Sequence, residues 1–306
     1  MIVYQELATL SLDLGISVRT LYSVSNSISS HYHKVKIPKK NGGYRSLTIP
    51  DSELKLIQRR INERLLRYST VSQYATAYRF GGGIVRNALP HVGANTILKL
   101  DIYKFFDSII YSLVKDKVFA EDVYSEQNRT LLTSLCMYKD CLPQGAPTSP
   151  VISNIIMYEF DNAVGAWCDN KGIVYTRYCD DMTFSGCFEP KEVIQFIKEK
   201  LREIGLFLNA RKTVIASNGQ KKQVTGIVVN EKLSVDVNYI RLIRQEVYYI
   251  KKYGITSHLQ ERQIEMVPQL YLQKLLGRIN FVLSVNPSDI KMQEYKQFIK
   301  KLIAGE

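Results

Sequence analysis

The chain has 306 residues with 41 Lys and Arg against 29 Asp and Glu, a net charge of +12, and its 45% hydrophobic content can bury a sizeable core. That composition excludes a disordered or fibrous chain, and no apolar run approaches the ~18 residues that a membrane span requires. The N-terminus lacks a basic segment followed by an apolar one, so a soluble intracellular protein of two or three subdomains is expected.

In chain order, residues 1–30 read as amphipathic helix, with Ser17 as N-cap of the turn that starts at Val18. Lys34 to Pro38 and Tyr44 to Pro50 flank Lys39-Lys40-Asn41-Gly42-Gly43, a turn between two β-prone runs that predicts a hairpin. Leu54, Ile57, Ile61 and Leu65 then recur at helical spacing, with Arg59, Arg60, Arg64 and Arg67 around them. Gly81-Gly82-Gly83 breaks the chain ahead of Ile84 to His91. Thr96 to Asp101 reads as a buried strand ending in a carboxylate, followed by an aromatic turn through Phe105 and Phe106.

Leu142 to Pro150 is a loop made rigid by three prolines, ahead of the apolar-periodic run Val151 to Asp161. Tyr178-Cys179-Asp180-Asp181 falls at the tip of a predicted hairpin, between Ile173 to Thr176 and Met182 to Ser185. Lys191 to Ile204 predicts a helix ended by Gly205, and Leu206 to Ala216 follows with Asn209 and Lys212. From Asn238 the pattern is helical, with Tyr239, Leu242, Ile243, Val247 and Ile250 on one stripe. The five cysteines (Cys136, Cys141, Cys168, Cys179, Cys187) are odd in number and irregular in spacing. They suit a reducing cytoplasm better than a disulfide framework or a zinc set.

Two features carry chemistry. Adjacent carboxylates at a hairpin tip repel, so a fold that keeps both ionised supplies cations, and hard carboxylate oxygens suit Mg²⁺. Charge is also uneven: residues 1–100 carry +9, residues 101–235 carry −1 and residues 236–306 carry +4. Basic ends around a near-neutral, carboxylate-bearing centre suit a protein that grips a polyanion.

The Asp101 segment, the Leu142–Pro150 loop and the Tyr178–Asp181 turn together resemble motifs A, B and C of reverse transcriptases, in that family's order. The resemblance implies an α+β right-hand polymerase fold. Residues 1–97 would form N-terminal helices and fingers, and residues 98–235 a palm of antiparallel sheet backed by helices with part of the fingers. Residues 236–306 would form a helical, RNA-binding thumb. It implies that Asp101, Asp180 and Asp181 hold two Mg²⁺ ions, with Mn²⁺ able to substitute. Lys39 and Arg45 resemble fingertip cations that grip the triphosphate; turn and strand solubilisers are the plain alternative. Phe106 falls where the family places an aromatic against the sugar 2′ carbon, which implies dNTP rather than NTP use. Gln144 resembles the glutamine that contacts nucleotide and template. Lys212 resembles the motif D lysine, a charge partner or proton donor near the triphosphate, with a solvated surface lysine as the alternative.

Two further strings resemble the retron subgroup, which implies a role as its signature or in RNA binding: Asn87-Ala88 with His91, and Val224-Thr225-Gly226. A satisfied structural histidine is the alternative for His91. The retron resemblance implies a structured non-coding RNA from the same locus, self-priming from a guanosine 2′-hydroxyl, and a branched single-stranded DNA product (msDNA). It also implies a role in anti-phage defence beside a separate effector protein. Rival readings are another bacterial reverse transcriptase (group II intron-like, diversity-generating or abortive-infection type) or a catalytically silent RNA-binding scaffold on the same fold.

Overall fold

A computed structural model describes residues 3–38 and 42–305, so Lys39, Lys40 and Asn41 lie outside the described residues. Two compact units emerge: Met1–Gly82 with Leu98–Ile215, and Gly83–Ile97 with Ala216–Glu306. This division differs from the three-part expectation. Residues 83–97, read as fingers, and 216–235, read as palm, both pack in the second unit.

The helices in chain order are α1 (Leu7–Leu14), α2 (Val18–Asn26), α3 (Ser52–Ile61), α4 (Ile84–Ala88), α5 (Phe105–Ser108), α6 (Tyr111–Lys117) and α7 (Glu126–Cys136). They continue with α8 (Ser149–Ile156), α9 (Tyr158–Asn170), α10 (Pro190–Glu203), α11 (Val237–Glu261), α12 (Pro268–Val285) and α13 (Ile290–Ala304). The strands are β1 (Tyr32–Pro38), β2 (Tyr44–Pro50), β3 (Thr96–Asp101), β4 (Val174–Tyr178), β5 (Asp181–Gly186), β6 (Val214–Ala216), β7 (Gln223–Val224) and β8 (Ile227–Val228).

In the first unit, Ser17 accepts a hydrogen bond from the Thr20 amide and caps α2 as its sequence position predicts. β1 and β2 form the predicted antiparallel hairpin, with Tyr32 opposite Pro50 and Pro38 opposite Tyr44. Asp51 then caps α3 by accepting from the Leu54 amide at 2.9 Å. A four-stranded sheet in the order β4-β5-β3-β6 places the ends of β3 and the β4–β5 hairpin side by side. β4 and β5 are antiparallel, with Tyr178 opposite Asp181. The run Val151 to Asp161, read as continuous, is split at Met157 into α8 and α9. Gly205 stops α10 in the left-handed conformation (φ +73°), which glycine adopts without a Cβ penalty. Leu98, Leu100, Ile152, Val164, Phe184 and Ile197 are among the buried residues of this unit's core.

The second unit has its own core. Val224 and Ile227 pack in one cluster with Ile243, Val247, Leu272 and Ile279 of the C-terminal helices. The β7–β8 hairpin turns through Thr225 (φ +45°) and Gly226 (φ +86°). Two consecutive left-handed residues match the twist of a two-residue hairpin loop, which accounts for a Gly in this string. Asp236 caps α11 by accepting from the Asn238 amide at 2.8 Å, and Gly254 (φ +79°) breaks the helix further on. Among the described residues no helix is long and apolar enough to cross a membrane.

Candidate active site

Asp101 ends β3 almost fully buried, at 5% exposure. Its Oδ1 accepts from Asn209 Nδ2 at 3.0 Å and its Oδ2 from Lys212 Nζ at 2.6 Å. Its backbone carbonyl also accepts from the Asn209 amide at 2.8 Å, so the segment read as motif D is stitched to the strand end. Next along the chain, the Ile102 amide donates to the Asp180 carbonyl at 3.1 Å. One backbone bond thus joins the exit of β3 to the tip of the β4–β5 hairpin. The sequence brings Asp101, Asp180 and Asp181 to one cleft because strand order makes β3 and β5 neighbours.

The electrostatics agree with that placement. Burial, with the charges of Asp180 and Asp101, pushes the Asp181 carboxyl above the usual carboxylate range, while Lys99 and Lys212 oppose the shift. The hydrogen bond to Asp101 holds the Lys212 ammonium above the ordinary lysine value.

The cleft has a volume of about 930 Å³. Besides the three aspartates and Lys212 it is lined by Arg45, Phe106 and Gln144, which were singled out from sequence, and by Tyr78, which was not. Arg45 sits on β2 opposite Ile37. Phe106, in α5, leans against Phe105 with ring centroids 5.4 Å apart. The Gln144 carbonyl accepts from the Thr48 amide at 2.7 Å, which docks the proline-rich loop onto β2. Gly145 (φ +125°) permits the approach, since a Cβ there would stand 2.9 Å from the Thr48 carbonyl oxygen.

Among the described residues no group of three or more His, Cys, Asp or Glu side chains converges as a ready metal site. Asp101 engages Lys212 and Asn209 instead. The donor set nevertheless fits a hard divalent cation: three carboxylates in one cleft, two of them adjacent in sequence and mutually repelling.

Tyr78 escaped sequence reading because nothing around it is periodic. It takes a left-handed backbone conformation (φ +55°), and burial pushes its hydroxyl well above the ordinary tyrosine value. Arg177 and Asp161, both fully buried, were also missed. A charged residue inside the β-prone run before the hairpin tip was the available signal.

Asn87, His91 and Val224, read as an RNA-binding or subgroup signature, are fully buried in the second unit. They hold two distant segments together. Asn87 Nδ2 donates to Thr225 Oγ1 at 3.4 Å, and Thr225 Oγ1 donates to the Ile84 carbonyl at 3.2 Å. The Gly93 amide donates to the Val229 carbonyl at 3.0 Å, and Lys222 Nζ to the Ala94 carbonyl at 2.5 Å. Burial lowers the His91 pKa to about 4, so the ring is neutral in the fold.

Comparison with known proteins completes the assignment. The family described as reverse transcriptase (RNA-dependent DNA polymerase) matches residues 37–247. With the fold and the cleft, that match makes the chain an RNA-directed DNA polymerase of the reverse transcriptase family. The retron Ec83 reverse transcriptase of Escherichia coli is 31% identical, over 94% of this chain and 95% of that protein. The retron Ec86 reverse transcriptase of Escherichia coli is 32% identical, over 81% of this chain and 79% of its own length. The chain belongs to the retron type. Among solved structures, apo telomerase from Candida tropicalis truncated from its C-terminal domain is 14% identical with a TM-score of 0.47, covering 68% of this chain and 55% of that one. That likeness is too loose to add to the assignment.

Proposed function

We propose that this polymerase copies part of a structured non-coding RNA, made from its own locus, into single-stranded DNA. It primes from a guanosine 2′-hydroxyl, so the product (msDNA) stays joined to the RNA through a 2′,5′ branch. The observation that carries this reading is similarity to a retron enzyme along 94% of the chain and 95% of that relative, with no large region left unmatched in either.

Asp101, Asp180 and Asp181 would hold two Mg²⁺ ions, which when bound lower the pKa of the attacking hydroxyl and neutralise the leaving pyrophosphate. The chain's own residues do the rest. Lys212 balances the charge of Asp101 and stands where it can serve the triphosphate. Arg45 grips the phosphates of the incoming nucleotide from β2. Phe106 closes against the sugar and excludes a 2′-hydroxyl, which selects dNTPs. The Gln144 loop, docked on β2, sets the floor for nucleotide and template. RNA recognition falls to basic side chains of the C-terminal helices, reading phosphates and 2′-hydroxyls. The complex works in the cytoplasm, paired with a separate effector protein in anti-phage defence.

The test is to purify the protein from cells expressing its native locus, deproteinise and RNase-treat the bound nucleic acid, and run it on a denaturing gel with and without a 2′,5′-debranching enzyme. A discrete DNase-sensitive band that shifts on debranching is expected. Absence of DNA from a preparation that still extends a primer on RNA template would keep the polymerase and discard the self-primed product.

A further inference from the structure

Behind the Tyr178–Asp181 turn lies a charged pair that the polymerisation chemistry does not touch. Arg177 and Asp161 are both completely buried. Arg177 Nε and Nη2 donate to the two carboxylate oxygens of Asp161 at 2.8 and 2.6 Å, a bidentate pair. The same carboxylate accepts from Tyr175 Oη at 2.8 Å, and Nη2 also donates to Asn154 Oδ1 at 3.1 Å. The remaining arm, Nη1, donates to the backbone carbonyl of Cys179 at 2.9 Å.

Net stability is a poor reason for such a pair, because desolvation of two ions largely offsets their attraction. Geometry supplies a better one. Cys179 takes the left-handed conformation (φ +60°), which costs an L-residue energy unless its surroundings hold it there. The carbonyl that Arg177 holds belongs to the peptide joining Cys179 to Asp180. On the far side of Asp180, its own carbonyl accepts from the Ile102 amide. Asp180 is therefore pinned on both flanks, through Arg177 to α9 and through Ile102 to the end of β3. Arg177 is itself fixed, since its amide donates to the Tyr74 carbonyl at 2.8 Å and its carbonyl accepts from the Thr76 amide at 2.8 Å.

We infer that Arg177, clamped by Asp161, is a positioning residue for polymerisation: it sets the Cys179–Asp180 peptide and thereby where the Asp180 carboxylate stands in the cleft it shares with Asp101. The inference rests on the assignment of Asp180 to the polymerisation site, so the test carries Asp180→Asn as a control.

Two variants separate placement from folding. Arg177→Met combined with Asp161→Asn removes both charges at once, leaves no unpaired buried ion, and keeps an acceptor for Tyr175. Arg177→Lys keeps the charge, but a single ammonium cannot reproduce the planar fork that reaches Asp161 and Cys179 together. Thermal melting, affinity for the RNA, and kcat and KM for a dNTP on a primed RNA template are measured for each. Both variants are expected to melt cooperatively, bind RNA as the wild type does and keep KM within a few-fold, while kcat falls about 10²-fold, the scale of a small misplacement of a catalytic group. Wild-type kcat in either folded variant, with Asp180→Asn inactive, overturns the inference. If the double variant does not fold, Arg177→Lys decides by the same criterion. An active Asp180→Asn enzyme would instead overturn the site assignment.

Discussion

Lys212 Nζ lies 2.6 Å from Asp101 Oδ2, an ammonium with a 59% exposed side chain against a carboxylate with a 6% exposed one. The asymmetry defines the pair. Lys212 can swing away from the cleft wall, whereas Asp101 is fixed in place by its strand and by Asn209.

Replacing Lys212 by Met tests what the pair is for. A half-exposed ion pair contributes about 0–1 kcal/mol, so melting should hardly change. The rate of single-nucleotide incorporation should fall by roughly 10²-fold, as expected when a group that balances charge or moves a proton near a leaving phosphate is lost. Undiminished incorporation would return Lys212 to the status of a surface lysine.

Phe106→Ala opens the space against the sugar. Ribonucleotide incorporation relative to deoxyribonucleotide should rise about 10- to 200-fold, the range that steric selection in an apolar pocket provides. Competition assays with paired dNTP and NTP read this directly, and unchanged discrimination would remove Phe106 from the nucleotide site.

Gly145→Ala should separate the proline-rich loop from β2. The new Cβ meets the Thr48 carbonyl oxygen at 2.9 Å and Ile49 Cγ1 at 3.2 Å, and φ of +125° is strained for alanine. The strain is of order 1–3 kcal/mol. The loop can relieve it by moving off the strand at the expense of the Thr48–Gln144 bond. Steady-state kinetics should show the loss chiefly in kcat/KM for the dNTP, with RNA affinity retained.

His91 predicts a pH dependence. Its folded pKa, lowered to about 4 by burial, lies below the ordinary value of 6.5. Above the unfolded value both states are neutral and nothing is lost. As pH falls from 6.5 toward 4 the unfolded chain takes up a proton that the fold refuses, so stability declines, by at most about 3 kcal/mol in total. Chemical denaturation followed across this window should show the decline in the wild type, and His91→Leu should flatten that part of it.

Local pattern made some of this architecture legible and left other parts hidden. The Ser17 cap, the β1–β2 hairpin, the Gly205 stop and the Asp180–Asp181 hairpin each depend on residues close in sequence, and each stands where the pattern put it. Asp101 could be paired with the hairpin by resemblance alone; the neighbouring of β3 and β5 that explains it is a long-range pairing that no spacing reveals. Arg177 and Asp161 were invisible for the same reason. A charge in a strand reads as a solvated edge until a carboxylate from another element is found against it. Asn87 and His91 were noticed for a motif, but their burial was not legible from it: Asn87 bonds to Thr225, more than a hundred positions away.

That last arrangement bears on the order in which the protein can be made. The second unit is discontinuous: Gly83–Ile97 leaves the ribosome early, and its partners from Ala216 onward follow only after the intervening stretch of the first unit. At ~5–20 residues per second, roughly 120 residues of delay leave Ala88 and Ile97 without their β7–β8 neighbours for on the order of ten seconds. Only by the end of that interval are both segments of the first unit out, with all its parts to fold. A nascent chain interrupted once Ile215 has emerged would therefore carry every residue of the polymerase cleft, together with a short apolar segment still waiting for its cover.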